Sequence, residues 1–241
     1  MRKLLFAIVI FALFSLVACA DSSSTPMDPV NPDNIFGTED LAEDEVLTIS
    51  VHADEIVFDS IEEMLHFVEI SGIFRIEVVR VEILDERTEW HNPALVFQHE
   101  EALPYLSSYH DPALDDLENF KPYTFHRIQV LEVFKGEVEA GDILEVTQMG
   151  GQIDNVRLES TSFVPLSVGD DLVLFLTSPL WIPASPRGII GSTQAAYRFP
   201  ASGGELMALS ADVALESVNP TNELTLTIGD LRQIADGTFG R

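Results

Sequence analysis

Residues 123–136 read Tyr-Thr-Phe-His-Arg-Ile-Gln-Val-Leu-Glu-Val-Phe-Lys-Gly, and this stretch decides the fold class. Aromatic and β-branched side chains recur at nearly every second position, the period of a strand with one buried face. Lys135-Gly136 ends the run, and Ala140-Gly141-Asp142 supplies a second turn signal. Ile143–Gln148 then alternates again before Gly150-Gly151. Two alternating runs bracketed by turn residues predict an antiparallel hairpin.

Outward from the hairpin the chain stays β in character. A long strand is expected from Ile73, with Phe74, Ile76, Val78, Val79, Val81 and Ile83 set against Arg75, Glu77, Arg80 and Glu82. Its period slips at Val78-Val79, which predicts a bulge or bend there. Leu172–Thr177 (LVLFLT), Ile189-Ile190, Ala195–Phe199 and Leu206–Leu209 are further expected strands, and Val46–His52 opens the folded part. Two short helices flank them. One covers 59–68, with Asp59 or Ser60 as cap and Ile61, Met64, Leu65 and Val68 on one face. His66 lies beside that stripe as a rim residue. The other covers Ile228–Ala235 and ends at Gly237. Residues from about Asp85 to Pro122 lack this regularity and are read as an irregular insertion with short helical pieces.

The N-terminus carries a different signal. Arg2 and Lys3 precede an uncharged apolar run, Leu4–Leu16, the parts of a secretion leader. That run is shorter than the ~20 residues that cross a bilayer as a helix. It ends in Leu16-Val17-Ala18-Cys19, and Cys19 is the one cysteine of the 241 residues. This ending resembles the lipobox of bacterial lipoproteins. The resemblance implies a leader over 1–18, diacylglyceryl attachment at the Cys19 sulfur, and a mature chain that starts at Cys19. It places the protein on the extracytoplasmic face of a bacterial cell membrane, held by lipid chains that each contribute ~0.8 kcal/mol per buried CH₂. Residues 19–45, rich in Ser, Pro, Asp and Glu, are read as an acidic tether with a reach of roughly 25–30 Å. Residues 46–241 are then a single β-rich domain. With no second cysteine it has no internal disulfide and relies on its apolar core.

The charge excludes whole classes of partner. The chain carries −27, and loss of Arg2 and Lys3 with the leader takes it to −29. Such a surface repels phosphate backbones and anionic wall polymers, so no nucleic-acid partner is expected. A protein or a glycan remains as the expected ligand.

The turn at Lys135-Gly136, Gly141-Asp142, and Gly169-Asp170-Asp171 leading into LVLFL together resemble the barrel of netrin-like and tissue-inhibitor-of-metalloproteinase-like domains. They also resemble uncharacterised surface lipoproteins of Gram-positive bacteria. The resemblance covers about residues 73–210 and implies an OB-like, partly open antiparallel barrel with flanking helix. It does not transfer an inhibitory mechanism, because those inhibitors chelate metal with a disulfide-fixed N-terminal cysteine.

Candidate ligands concentrate in the insertion 85–122: His91, His99, His110, Asp111, Asp115 and Asp116, beside Glu89, Glu100 and Glu101. The paired carboxylates suit calcium, although no EF-hand-like loop is present, and no H-E-x-x-H spacing marks zinc. Gly150-Gly151 belongs to no phosphate-binding motif and is read as a turn. Lys135 is read as a turn residue rather than a catalytic amine. No G-x-S-x-G, S-x-x-K or catalytic cysteine occurs. Trp90 and Trp181, with Tyr105 and Tyr109, are candidates either for an aromatic platform or for anchoring loops. The sequence therefore favours a non-catalytic binding or envelope-assembly module. A metal-dependent or carboxylate-based hydrolase acting through 85–122 and an inhibitor of a secreted protease stand as alternatives.

Overall fold

The expected hairpin is present, as β3 (Lys121–Lys135) against β4 (Ile143–Met149), with Tyr123 opposite Met149 and Gln129 opposite Ile143. The structure is a computed structural model and describes residues 46–52, 56–71, 74–91, 120–179, 186–200 and 209–240. The leader, Cys19, the tether, Tyr105, Tyr109, Trp181 and Leu206–Ala208 lie outside the described residues.

The protein is mainly β. Its larger sheet runs β10 (Glu216–Ser217), β9 (Ala196–Arg198), β7 (Asp171–Pro179), β2 (Phe74–His91), β3, β4, and β8 (Gly188–Ile189) pairs with β7 off that path. β2 shifts register at Val78/Val79, where the sequence alternation slips, and again at Arg80/Val81 and Ile83/Asp85. The ordinary pleat of the strand buries these two consecutive valines on opposite sides. Val78 belongs to the cluster under the helices and Val79 to the cluster on the other face. β7 serves both clusters, with Val173 and Phe175 on the helix side and Leu172, Leu174 and Leu176 on the other. A strand buried on both faces reads as an unbroken apolar run, which is what LVLFL is.

The sheet is open and not closed into a barrel: β10 and β4 are the two ends of its path. One residue just before β8 nevertheless reaches the β4 end. The Arg187 N–H donates to the Glu145 carbonyl at 2.7 Å, and the Arg187 carbonyl accepts from the Thr147 N–H at 2.8 Å. The Arg187 side chain reaches β2, where Nε and Nη2 lie 3.2 and 3.3 Å from the two carboxylate oxygens of Glu77. Both residues are buried. The Lys-Gly turn meets this pair: Gly136, at φ +125°, lies so close that a Cβ would sit 3.0 Å from Glu77 Cγ.

Helix α1 (Ile61–Ser71) starts where Ser60 Oγ accepts from the Glu63 N–H and the Glu63 carboxylate accepts from the Asp59 N–H. It buries Ile61, Met64 and Leu65, and His66 is exposed. Helix α2 (Ile228–Ala235) starts in a capping box, Thr227 and Asp230 each accepting from the other's N–H, and it buries Ile228, Leu231 and Ile234. Gly237 follows it at φ +66°.

Two elements depart from the sequence expectation. Residues 85–91 are not part of an irregular insertion; they continue β2, paired from Asp85–Arg127 to His91–Lys121, and Lys121-Pro122 already belong to β3. Their side chains are half or fully exposed, so backbone pairing rather than apolar alternation holds them. The second departure is a three-stranded sheet in which β1 (Leu47–Val51) pairs in parallel with β6 (Val156–Ser160), and β6 pairs with β5 (Gly151–Ile153).

Gly150-Gly151 is the joint between the two sheets. Gly151 has φ +124°, and a Cβ there would lie 2.5 Å from Thr124 Oγ1 and 2.7 Å from Thr88 Cγ2. Gly151→Ala is therefore expected to lower unfolding free energy by about 2–3 kcal/mol, combining backbone strain with overpacking. Gly141→Ala, also at positive φ but with nothing within 4 Å among the described residues, isolates the backbone share and should cost about 1 kcal/mol. Equal losses in urea unfolding would rule out the close approach as the cause.

Candidate functional site

Beyond β7, the sheet continues as β2, β3 and β4 alone, and one face of this extension carries aromatic and charged side chains. His91 packs edge-on against Tyr123 and Phe125, each at 5.3 Å between ring centroids. Arg87 lies over the Phe125 ring at 4.7 Å and donates to Glu145 at 2.6 Å. Burial pushes the His91 imidazole below its ordinary value, against the opposing pull of Glu89 and Glu145. Burial likewise pushes the Tyr123 phenol upward. The imidazole is held in an aromatic bracket.

The opposite face holds a buried polar chain. His126 is fully buried on β3, and its Nε2 is 3.2 Å from Gln148 Nε2 on β4. Gln148 also donates to the Val164 carbonyl at 3.1 Å and accepts from the Val164 N–H at 2.8 Å. Because the Gln148 amide nitrogen can only donate, His126 Nε2 accepts and Nδ1 carries the proton. Among the described residues Nδ1 has no hydrogen-bond partner, and the Glu86 Oε2 carboxylate oxygen is 3.9 Å away. Burial lowers the imidazole pKa from 6.5 to about 4.

Val164 is a core residue whose two chain neighbours, Phe163 and Pro165, line a groove of ≈ 460 Å³. Three segments far apart in sequence form it. Thr161, Phe163 and Pro165 follow β6; Thr193 lies in a single 3₁₀ turn (Ser192–Gln194); Val218, Asn219, Pro220 and Thr221 follow β10. None of these eight side chains is charged, in a chain of net charge −27.

Each wall is held from behind by a side-chain amide. Gln148 grips Val164, between Phe163 and Pro165, and the Phe163 ring rests on Gly150, where a Cβ would lie 2.9 Å from Cδ2. Asn222 donates to the Gln194 carbonyl, Tyr197 Oη and Ser217 Oγ, at 3.1, 3.2 and 3.0 Å. It thereby ties the turn after β10 to the 3₁₀ turn. Gln194 in turn bonds both backbone groups of Phe58, at 2.8 and 3.0 Å. Asn219 Oδ1 accepts from the Thr221 N–H and hydroxyl, closing the tip.

No family model, curated protein or solved structure matches this chain. The geometry of the groove is what the functional reading rests on.

Of the candidates named from sequence, His91 is described and sits in the aromatic bracket. His99, His110, Asp111, Asp115 and Asp116 lie outside the described residues. Among the described residues, no group of three or more His, Cys, Asp or Glu side chains is placed to hold a metal. Trp90 is at the distal end of β2, opposite Pro122. The groove residues carry no motif in the sequence because most are ordinary loop residues, Thr, Pro and Asn, spread with Phe163 and Val218 from 161 to 221. Gln148 gave one signal that could have been used, a long polar side chain in an otherwise alternating strand.

Proposed function

We propose that this chain is a lipid-anchored protein of the extracytoplasmic face of a bacterial membrane, joined to it through Cys19, whose β domain binds a ligand rather than transforms one. The anchor half rests on the leader and lipobox-like ending at residues 1–19. The binding half is carried by one observation, the uncharged groove with walls fixed by Gln148, Asn222 and Asn219. Walls that are already ordered lose little conformational freedom on binding, which leaves more of the contact energy as affinity. The buried ionisable groups Glu77, Arg187 and His126 bond one another or Gln148, and none lines the groove.

Cys19→Ala is expected to abolish incorporation of an alkynyl fatty acid and release the protein from the membrane fraction; retained label would refute the anchor. For binding, a photo-cross-linking residue placed at Thr193 in the full-length chain should capture an envelope component in cells. The same residue at Asp154, in the β5–β6 turn, should not. Identical products from the two positions would refute the groove as the binding site.

A further inference from the structure

The open edge of the smaller sheet points to a second interaction surface: we infer that β1 receives an extended protein segment as an added strand, uncharged and alternating at its centre and basic at both ends. This surface is separate from the groove and does not depend on it.

Backbone geometry gives the first argument. The Leu47 N–H donates to the Asn155 carbonyl, and the Val51 carbonyl accepts from the Thr161 N–H. With Leu47 opposite Val156 and Val51 opposite Ser160 in a parallel pair, residues 47, 49 and 51 are the ones bonded to β6. The N–H and C=O groups of Thr48 and Ser50 therefore point to the other side, away from β6 and from the β5–β6 turn. β1 ends its sheet's path, and no strand among the described residues pairs with that side. Thr48 and Ser50 are exposed. A strand added there gains main-chain hydrogen bonds.

The residues of β1 give the second. Edge strands are commonly closed by Pro, by Lys or another charge, or by a bulge. Leu47-Thr48-Ile49-Ser50-Val51 holds no such residue, and its register with β6 runs unbroken. Leu47, Ile49 and Val51 share one face and are only half-buried, so alternate apolar side chains of an added strand would complete their cover.

Charge selects the occupant. Glu43-Asp44-Glu45 precede the strand and Asp54-Glu55 follow it. On β6, Arg157 and Glu159 stand opposite Thr48 and Ser50 and offset each other. A second copy paired antiparallel about Ile49 would set Asp44 against Asp54 and Glu43 against Glu55. Like charges directly opposed destabilise a strand pair. The acidic stretch 19–45 of the same chain meets the same repulsion. A segment with Lys or Arg at both ends instead finds carboxylates at both ends of β1, whichever way it runs.

The test titrates the full-length chain with the synthetic peptide KKVTVTVKK, with its acidic counterpart EEVTVTVEE, and with KKPPPPPKK, equal in charge but lacking central N–H donors. Amide hydrogen exchange is followed residue by residue by NMR. In the free chain the Thr48 and Ser50 amides should exchange faster than those of Ile49 and Val51. Saturating KKVTVTVKK should slow Thr48 and Ser50 about tenfold or more. Ser50→Pro removes an N–H that β6 does not use and should weaken binding about tenfold or more. Thr48→Lys combined with Ser50→Lys, both at exposed positions, should weaken it similarly while leaving the β6 bonds in place. Equal protection by EEVTVTVEE or KKPPPPPKK would overturn the inference. So would binding unaffected by both variants, or no protection at millimolar KKVTVTVKK. Slow exchange of Thr48 and Ser50 in the free chain would assign the edge to a segment of this chain, or to a second copy if it rose with protein concentration. Either result would overturn the inference too.

Discussion

Glu77→Met is expected to cost about 3–5 kcal/mol of unfolding free energy, the usual effect of removing one partner from a buried ion pair. The variant strips Arg187 of the bidentate carboxylate that holds its guanidinium between β2 and β4. The second half of the experiment carries the interpretation. Arg187→Met on the Glu77→Met background should recover most of the loss, because two apolar side chains of similar volume replace a pair whose desolvation largely cancels its attraction. Urea unfolding of the wild type, both single variants and the double variant gives the coupling directly. If the two single losses simply added in the double variant, the pair would not be the unit of stability.

Acid provides the second large effect. The His126 imidazole has a pKa of about 4 in the folded chain against 6.5 when exposed, a depression caused by burial. The unfolded chain thus binds the extra proton first as pH falls. Stability contributed by the neutral imidazole is full above pH 6.5, declines as pH drops from 6.5 towards 4, and levels off below. The total is about 3 kcal/mol. His126→Gln keeps an acceptor for the Gln148 N–H and removes the titration, so its stability should fall less over that range. Parallel pH profiles for wild type and variant would refute the assignment. Protonation also removes the acceptor that positions Gln148, and Gln148 fixes Val164 beside the groove. In the folded chain that loss comes only as pH nears 4, where His126 takes up its proton, so the groove wall should loosen there and not between pH 7 and pH 5.

Much of the fold was legible because its strands announce themselves locally. The slip at Val78-Val79 marked a real register shift, the 123–148 hairpin followed from alternation and turns, and the double-sided burial of β7 accounts for LVLFL. Legibility failed where backbone pairing acts without apolar pattern. Residues 85–91 are polar and exposed, yet β3 holds them in strand, so they read as loop. β6 did carry a signal, Val156 and Leu158 buried on alternate positions, but its parallel pairing with β1 joins residues more than a hundred apart and leaves no trace in either segment. The same distance hides the site. Glu77 and Arg187 are 110 residues apart, and the groove gathers three loops that share no motif.

The Arg187 bridge has a consequence for how copies of this chain tolerate one another. A strand at the end of a sheet presents unpaired amides to any neighbour, and natural proteins guard such edges against zipping together. β4 is that end, and the Arg187 backbone occupies it at Glu145 and Thr147, near the middle of the strand. A neighbouring molecule seeking to add a strand there would first have to displace Arg187, which the buried Glu77 carboxylate holds from inside. One ion pair in the interior thereby keeps an outer edge from becoming a seed for polymerisation.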